Sequence, residues 1–215
     1  METIIKICGL NSKAAVRAAI KNRASYVGFT FYYDSPRNIT PELAVEIAQE
    51  VPPHVKRVAV TSNPNSKLLE KIFHVFKPDF LQLDDFSTPE EIKKIKSKYS
   101  IKVIKTIYVG DQDDLKTTQK YEDVADMFMF DCRHGNDLFV DLPDTVFDWS
   151  LLKKANINKP WILSGGLNKF NVKHAIRVSN ASIINASATL ENTPGNKDPK
   201  MIEAFMKSVR EPSYR

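Results

Sequence analysis

Short apolar runs alternate with amphipathic stretches along most of this chain. Runs rich in β-branched and aromatic residues read as strands: "TIIKICG" (3–9), "YVGFTFYY" (26–33), "VKRVAVT" (55–61), "FLQLDD" (80–85), "KVIKTIYV" (102–109), "ADMFMFD" (125–131), "WILSGG" (161–166) and "ASIINAS" (181–187). The intervening segments switch to helical spacing, as with Ala14, Ala15, Ala18 and Ala19 after the first run, or Val172, Ala175, Ile176 and Val178 after the seventh.

Four helix starts are marked by a capping oxygen followed by proline: Thr40-Pro41-Glu42, Asn63-Pro64-Asn65, Thr88-Pro89-Glu90-Glu91 and Asp198-Pro199-Lys200. The side-chain oxygen satisfies an orphan N–H of the first turn, and proline at the next position has no N–H to lose. Glu91 completes a capping box on Thr88. The first three caps recur at residues 40, 63 and 88, a spacing that fits one strand plus one helix per unit. Eight such units predict a (β/α)8 barrel of eight parallel strands, with residues 1–215 as a single domain. An open doubly wound sheet is the competing arrangement, because periodicity does not prove closure. The stretch 132–148 is long and polar for a βα connection and is expected at the functional mouth.

Composition narrows the class. At 215 residues, 42% hydrophobic and 27% charged, the chain can bury one sizeable core. Its two cysteines show no metal or disulfide spacing, and a reducing, cytoplasmic setting is expected. The opening residues lack a basic signal-peptide region and no apolar stretch spans a bilayer, so no membrane association is expected. The net charge of +5 is diffuse: in 89–99 Ile92, Ile95 and Tyr99 share one helix face and the lysines take the other. That pattern describes a solvated face and favours a small phosphorylated substrate over nucleic acid. Monomer and homodimer both remain open.

In a barrel of this kind the strand C-termini carry the chemistry. Cys8 taken alone reads as a packed thiol. Ending a strand beside Gly9, it could instead serve, as a thiolate, as nucleophile or base. Asp131 ends the run Met127-Phe128-Met129-Phe130, so its carboxylate must be paired or functional. Gly165 and Gly166 form either a tight turn or a phosphate seat leading into a helix N-terminus, with Asn185, Ser187 and Ala188 beside them on the eighth unit. Arg37 is either a surface arginine or a planar fork for a carboxylate. The four histidines show no metal spacing, Lys6 and Lys105 lie within strands with no assigned role, and Cys132 reads as inert.

Read in order, these residues resemble phosphoribosylanthranilate isomerase of tryptophan biosynthesis. The resemblance is carried by Lys6-Ile7-Cys8-Gly9-Leu10, Gly28-Phe29 with Ser35-Pro36-Arg37, Gln82-Leu83, Asp131, Phe147-Asp148-Trp149, Leu163-Ser164-Gly165-Gly166-Leu167 with Asn171-Val172, and Leu190-Glu191 through Asp198. It implies a cofactor-free barrel without a metal that turns an aminoaldose phosphate into an aminoketose phosphate by an Amadori rearrangement. It makes Asp131 the general acid at the furanose ring oxygen and Cys8 the general base at C2′. Arg37 would hold the anthranilate carboxylate, and Gly165 and Gly166 with the strand-eight loop would hold the phosphate. The chain departs from the family pattern in three places: Asp84-Asp85 replace His-Gly, 136–146 replaces a glycine-rich segment, and Asn185 and Thr189 replace an aspartate and a glycine. A barrel that binds a phosphosugar or a protein partner without this catalysis, or an isomerase of a related phosphosugar, is the alternative expectation.

Overall fold

The computed structural model describes residues 2–84, 87–132 and 145–211. Eight parallel strands close into a barrel in sequence order: β1 (Ile4–Ile7), β2 (Tyr26–Thr30), β3 (Lys56–Thr61), β4 (Phe80–Leu83), β5 (Lys102–Val109), β6 (Met127–Cys132), β7 (Trp161–Leu163) and β8 (Ile183–Ala186). The last strand returns to the first through Ile4↔Ile183, Ile5↔Ile184, Lys6↔Asn185 and Ile7↔Ala186. Closure leaves the barrel without an unpaired edge and excludes the open sheet. Helices α1 (Lys13–Lys21), α2 (Pro41–Ile47), α3 (Ser66–Lys71), α4 (Pro89–Tyr99), α5 (Thr117–Tyr121), α6 (Ser150–Lys154), α7 (Val172–Ser179) and α8 (Pro199–Arg210) follow the strands.

Period-two alternation divides each strand between two cores. Cys8, Val58, Val60, Phe80, Ile104, Met127, Met129, Ile162 and Ile183 fill the barrel interior. Their strand neighbours, including Ile5, Ile7, Phe29, Leu81, Phe128 and Phe130, pack outward against helical residues such as Ala15, Ala19, Ile92, Ala175 and Phe205. Lys6 shares the inward parity of Cys8 and is fully buried. On α4 Ile92 is buried while Lys96 pairs with Asp126 and Lys98 with Glu70, so this basic stretch is the neutralised, solvated face its spacing indicates. Among the described residues no helix is long and apolar enough to cross a membrane.

The caps at Thr40, Thr88 and Asp198 form as expected, including the reciprocal box between Thr88 and Glu91. The cap expected at Asn63 moves to Asn65, whose side chain accepts from Leu68 N. Asn63 instead adopts a left-handed turn (φ 45°), and Pro64 therefore precedes the cap rather than following it. Two further features were not expected from periodicity. Helix α3 runs on into a π turn over Ile72–Phe76, which seats the Phe76 ring against Phe29 and Phe31. A hairpin of β9 (Glu191–Thr193) and β10 (Asn196–Lys197) precedes α8. Several apolar runs also outlast their strands, β2 stopping at Thr30 and β7 at Leu163, because the chain leaves the ladder to build the mouth.

The Thr88 box is solvent-exposed, so its removal should act on α4 alone. Thr88→Ala should lower stability by about 1 kcal/mol, seen as a lower urea midpoint with an unchanged denaturant slope.

Candidate active site

Cys8 follows β1 at the C-terminal mouth, where its N–H donates to Ala186 O (3.0 Å) and its side chain is 6% exposed. The thiol rests on Gly28. A Cβ at residue 28 would come 2.7 Å from Cys8 Sγ and 3.2 Å from Lys6 Nζ, so this floor position needs a glycine. The same geometry puts the Lys6 ammonium and the sulfur within about 6 Å of one another. A second amine, Lys197, is buried nearby: burial lowers its pKa, opposed chiefly by Glu191 and, least, by Cys8.

Asp131, on β6, points into the same mouth. Its Oδ1 accepts from Cys132 N (2.7 Å) and its Oδ2 accepts from the Ser164 hydroxyl (2.8 Å). Ser164 Oγ in turn accepts from Asn185 Nδ2 (2.9 Å), and Asn185 Oδ1 accepts from Lys6 Nζ (3.0 Å). Asn185 is 4% exposed and lies beneath the mouth, its amide held between Lys6 and Ser164. Its side chain is engaged by Lys6 and Ser164, and the residue also lines the glycine-walled recess of the mouth.

Gly165 (φ 86°) and Gly166 (φ 59°) take left-handed conformations that favour glycine. A Cβ at 165 would approach Cys132 N to 2.9 Å and Asp131 Oδ1 to 3.1 Å. With Asp131, Ser164, Ser187 and Ala188 these glycines line a recess of about 20 Å³, room for a water-sized occupant. The glycines do not lead straight into a helix, since α7 begins only at Val172. Asn171 bridges the gap, donating to Gly166 O (2.8 Å) and accepting from Asn168 N (2.8 Å). The other wall is a 3-10 turn, Ala188–Leu190, whose Thr189 hydroxyl donates to Leu167 O (2.5 Å). Thr189 therefore ties the β7 and β8 loops together.

Arg37 is buried, and its Nε and Nη2 donate to both oxygens of Glu191 (2.7 and 3.0 Å). Glu191 also accepts from Lys197 and from Gly195 N. Burial pushes the Glu191 carboxyl up, but the Arg37 and Lys197 contacts outweigh it and hold the group below its ordinary range. Two basic side chains thus share one carboxylate beside the mouth, and burial, aided by Arg37, lowers the Lys197 pKa against the pull of Glu191.

Asp84, the first of the two unexpected carboxylates, accepts from Gln82 Nε2 (2.9 Å) and from the Thr106 hydroxyl. Burial raises its pKa, opposed by those hydrogen bonds and by Lys6 and Lys105. Tyr32 lies close by, its phenol pushed upward by burial and then by the charges of Asp84 and Cys8. Asp85 and most of the long stretch after β6, residues 133–144, lie outside the described residues.

Cys8, Asp131, Arg37, Gly165, Gly166, Ser187 and Ala188 therefore all fall on one face of the barrel. Cys132 faces the outer core, with burial and then Asp131 pushing its thiol up to about 11. Three contributors escaped sequence reasoning. Lys6 had a readable signal, since an inward lysine two residues before Cys8 must find a partner inside the barrel. Lys105 has the opposite parity and donates instead to Thr106 O (2.8 Å) and Leu83 O (3.3 Å), against the Tyr121 ring. The Glu191–Lys197 pairing with Arg37 spans 154 residues and had no local signal.

Glu191 is the hub of this cluster, so its neutralisation leaves two buried cations unbalanced. Glu191→Gln should cost about 3 kcal/mol at neutral pH. Because its folded-state pKa is lowered, the stabilisation is present above the ordinary value of 4.5 and is lost as pH falls through the lower folded value. Urea unfolding should accordingly show the gap between wild type and variant narrowing below that pH.

Comparison with known proteins gives a consistent picture. Residues 5–208 match the family model described as N-(5'phosphoribosyl)anthranilate (PRA) isomerase. A protein of Parvibaculum lavamentivorans named N-(5'-phosphoribosyl)anthranilate isomerase is 36% identical over 213 residues, covering 98% of this chain and 99% of the relative. One of the same name from Rhizobium rhizogenes is 39% identical over 214 residues, covering 98% and 96%. The crystal structure of phosphoribosylanthranilate isomerase from Thermotoga maritima superposes with a TM-score of 0.86 at 31% identity, covering 97% of this chain and 98% of its own. A further structure of such an isomerase, in complex with reduced 1-(o-carboxyphenylamino)-1-deoxyribulose 5-phosphate, gives 0.83 at 30% identity, with the same coverage. With a family match across almost its whole length and relatives above one-third identity, this chain belongs to the N-(5'-phosphoribosyl)anthranilate isomerase family.

Proposed function

We propose that this protein catalyses the Amadori rearrangement of N-(5'-phosphoribosyl)anthranilate to 1-(o-carboxyphenylamino)-1-deoxyribulose 5-phosphate in tryptophan biosynthesis, with Asp131 as general acid and Cys8 as general base. One observation carries the reading. Barrel closure sets a carboxyl on β6 and a thiol just after β1 at the same mouth, beside a glycine-lined recess. The relative's complex with a reduced form of the product agrees with a phosphorylated substrate.

The chemistry needs one proton delivered and another removed. Asp131 gives its proton to the furanose ring oxygen as the C1′–O bond breaks, leaving a protonated Schiff base between C1′ and the anthranilate nitrogen. Cys8 then takes the proton from C2′, and the electrons of that C–H bond neutralise the iminium to give an enolamine. Tautomerisation of the enolamine yields the ketose. Each step is a proton transfer at a positioned group, so neither a covalent adduct nor a redox partner is required. The Lys6 Nζ lies within about 6 Å of the sulfur, close enough to favour the thiolate that this step calls for.

Binding is assigned by charge and shape. Arg37 meets Glu191 along its Nε–Nη2 edge, which fixes the plane of the guanidinium that would take the anthranilate carboxylate. The backbone of Gly165, Gly166, Ser187 and Ala188 would seat the phosphate, with local adjustment to widen the recess. Thr189 lines the same recess, with its hydroxyl engaged by Leu167 O. The negative charge of Asp84 is met by Gln82 and Thr106 and weakened by burial, which limits its repulsion of an anionic substrate.

Purified protein should turn over freshly prepared phosphoribosylanthranilate in a fluorescence assay. Cys8→Ala and Asp131→Asn should each reduce kcat by at least about 100-fold. Tight binding of the reduced product analogue without any turnover would show a binding protein instead, and full activity in Cys8→Ala would remove the thiol from the mechanism.

A further inference from the structure

We propose that Ser164 is a positioning residue for Asp131 and that its hydroxyl is aimed by a directed hydrogen-bond chain that starts at Lys6 and passes through Asn185. The inference rests on the acid role given to Asp131 above. It adds three residues that touch no reacting atom to the machinery of that proton transfer.

The chain follows from strand register. Lys6 on β1 lies opposite Asn185 on β8. Leu163 lies opposite Ile184, so the next residues along the two parallel chains, Ser164 and Asn185, are level with one another. Phe130 lies opposite Leu163, which brings Asp131 level with Ser164. Four neighbouring strands thus contribute one inward polar residue each to a continuous line. Its three links measure 3.0, 2.9 and 2.8 Å.

The donors and acceptors allow one polarity. An ammonium has three donors and no acceptor, so Asn185 must turn Oδ1 toward Lys6. That leaves the Nδ2 amide facing Ser164, and an amide nitrogen only donates. Ser164 Oγ therefore accepts from Asn185, and its single proton goes to Asp131 Oδ2. Ser164, Asn185 and Lys6 are all buried, so each of these links is shielded from bulk solvent. A hydroxyl with a free rotor would point its proton at several acceptors, whereas here its orientation is dictated from the opposite side of the barrel.

The arrangement has a chemical consequence. Donation from Ser164 and from Cys132 N stabilises the ionised carboxylate and fixes the plane in which its proton is held. Among the described residues, groups of the neighbouring elements that face or flank Asp131 include Tyr108 on β5, its register partner; Cys132 on its own strand; Ser164 and Gly165 after β7; and Lys6 on β1, reached through Asn185 on β8. Among these, the Ser164 hydroxyl is the one whose proton direction is set by the chain.

The test compares Ser164→Ala, Ser164→Thr, Asn185→Ala and the double variant Ser164→Ala/Asn185→Ala. Loss of the Ser164 donor disfavours the charged carboxylate, so the limb of the kcat/KM profile that reports Asp131 should move upward by about one pH unit. In the same variant kcat should fall about tenfold with little change in KM, as for an interaction that acts in the chemical step. Ser164→Thr should restore both. Asn185→Ala should shift the limb in the same direction in the Ser164 background and not at all in the Ser164→Ala background. An unmoved limb in Ser164→Ala, or an equal Asn185→Ala shift in both backgrounds, overturns the proposal. A carbon-13 NMR titration of the Asp131 carboxyl, assigned with Asp131→Asn, reads the same shift without substrate. If wild type lacks turnover but this titration moves as expected in Ser164→Ala, the positioning chain stands and the catalytic reading fails; an unmoved titration sinks the chain whatever the turnover.

Discussion

The pairing of β8 with β1 is the constraint on which the rest of this molecule depends. Until those strands meet, Cys8 and Asp131 are separated by most of a sheet, and Lys6 carries an uncompensated charge. Once Lys6 faces Asn185, the ends of the sheet are joined and the inward residues of β1, β8, β7 and β6 fall on one line. An unpaired lysine inside an apolar barrel is costly, so its bond to Asn185 favours this register over a slipped one. Structural closure and the geometry of the mouth are in this sense the same event.

Charge at the mouth is managed by pairing rather than by exposure. Arg37, Glu191 and Lys197 form a buried cluster whose members come from the β2 loop and from the hairpin before α8. Gly195 N donates into the same carboxylate, while Gly9 leaves room for the Arg37 stem. Such clusters contribute less to net stability than to fixing one geometry, because desolvation offsets much of the Coulomb attraction. Here the fixed geometry is the orientation of a guanidinium at the rim. Asp84 shows the complementary case: a buried carboxylate at the mouth is tolerated because Gln82 and Thr106 absorb it.

The barrel was legible in the sequence because its strands and caps are local. The eight apolar runs, the proline-marked helix starts and the alternation of periods are each set within a few residues by backbone sterics and burial. The cap at Asn63 failed on local grounds too, since the left-handed turn there moved the true cap to Asn65. Cys8 and Asp131 were recognisable as strand-end groups in a motif order resembling a known family. Arg37 was recognisable as well, though its buried partner was not. Lys6 was in plain view yet gained meaning only when its inward parity was combined with closure.

What the chain determined by itself was the set of parts: strands, helices, their order, and the residue types offered at each strand end. These follow from interactions between near neighbours, in which side-chain periodicity, capping and turn chemistry act over one or two turns. Only the tertiary structure decided which parts meet. The Lys6–Asn185–Ser164–Asp131 line joins positions up to 179 residues apart, and Arg37 meets Glu191 across 154. Hydrogen bonds of this kind depend on register to within one residue and on distances near 3 Å. No pattern of local hydrophobicity encodes that, because it comes into being only when the barrel closes.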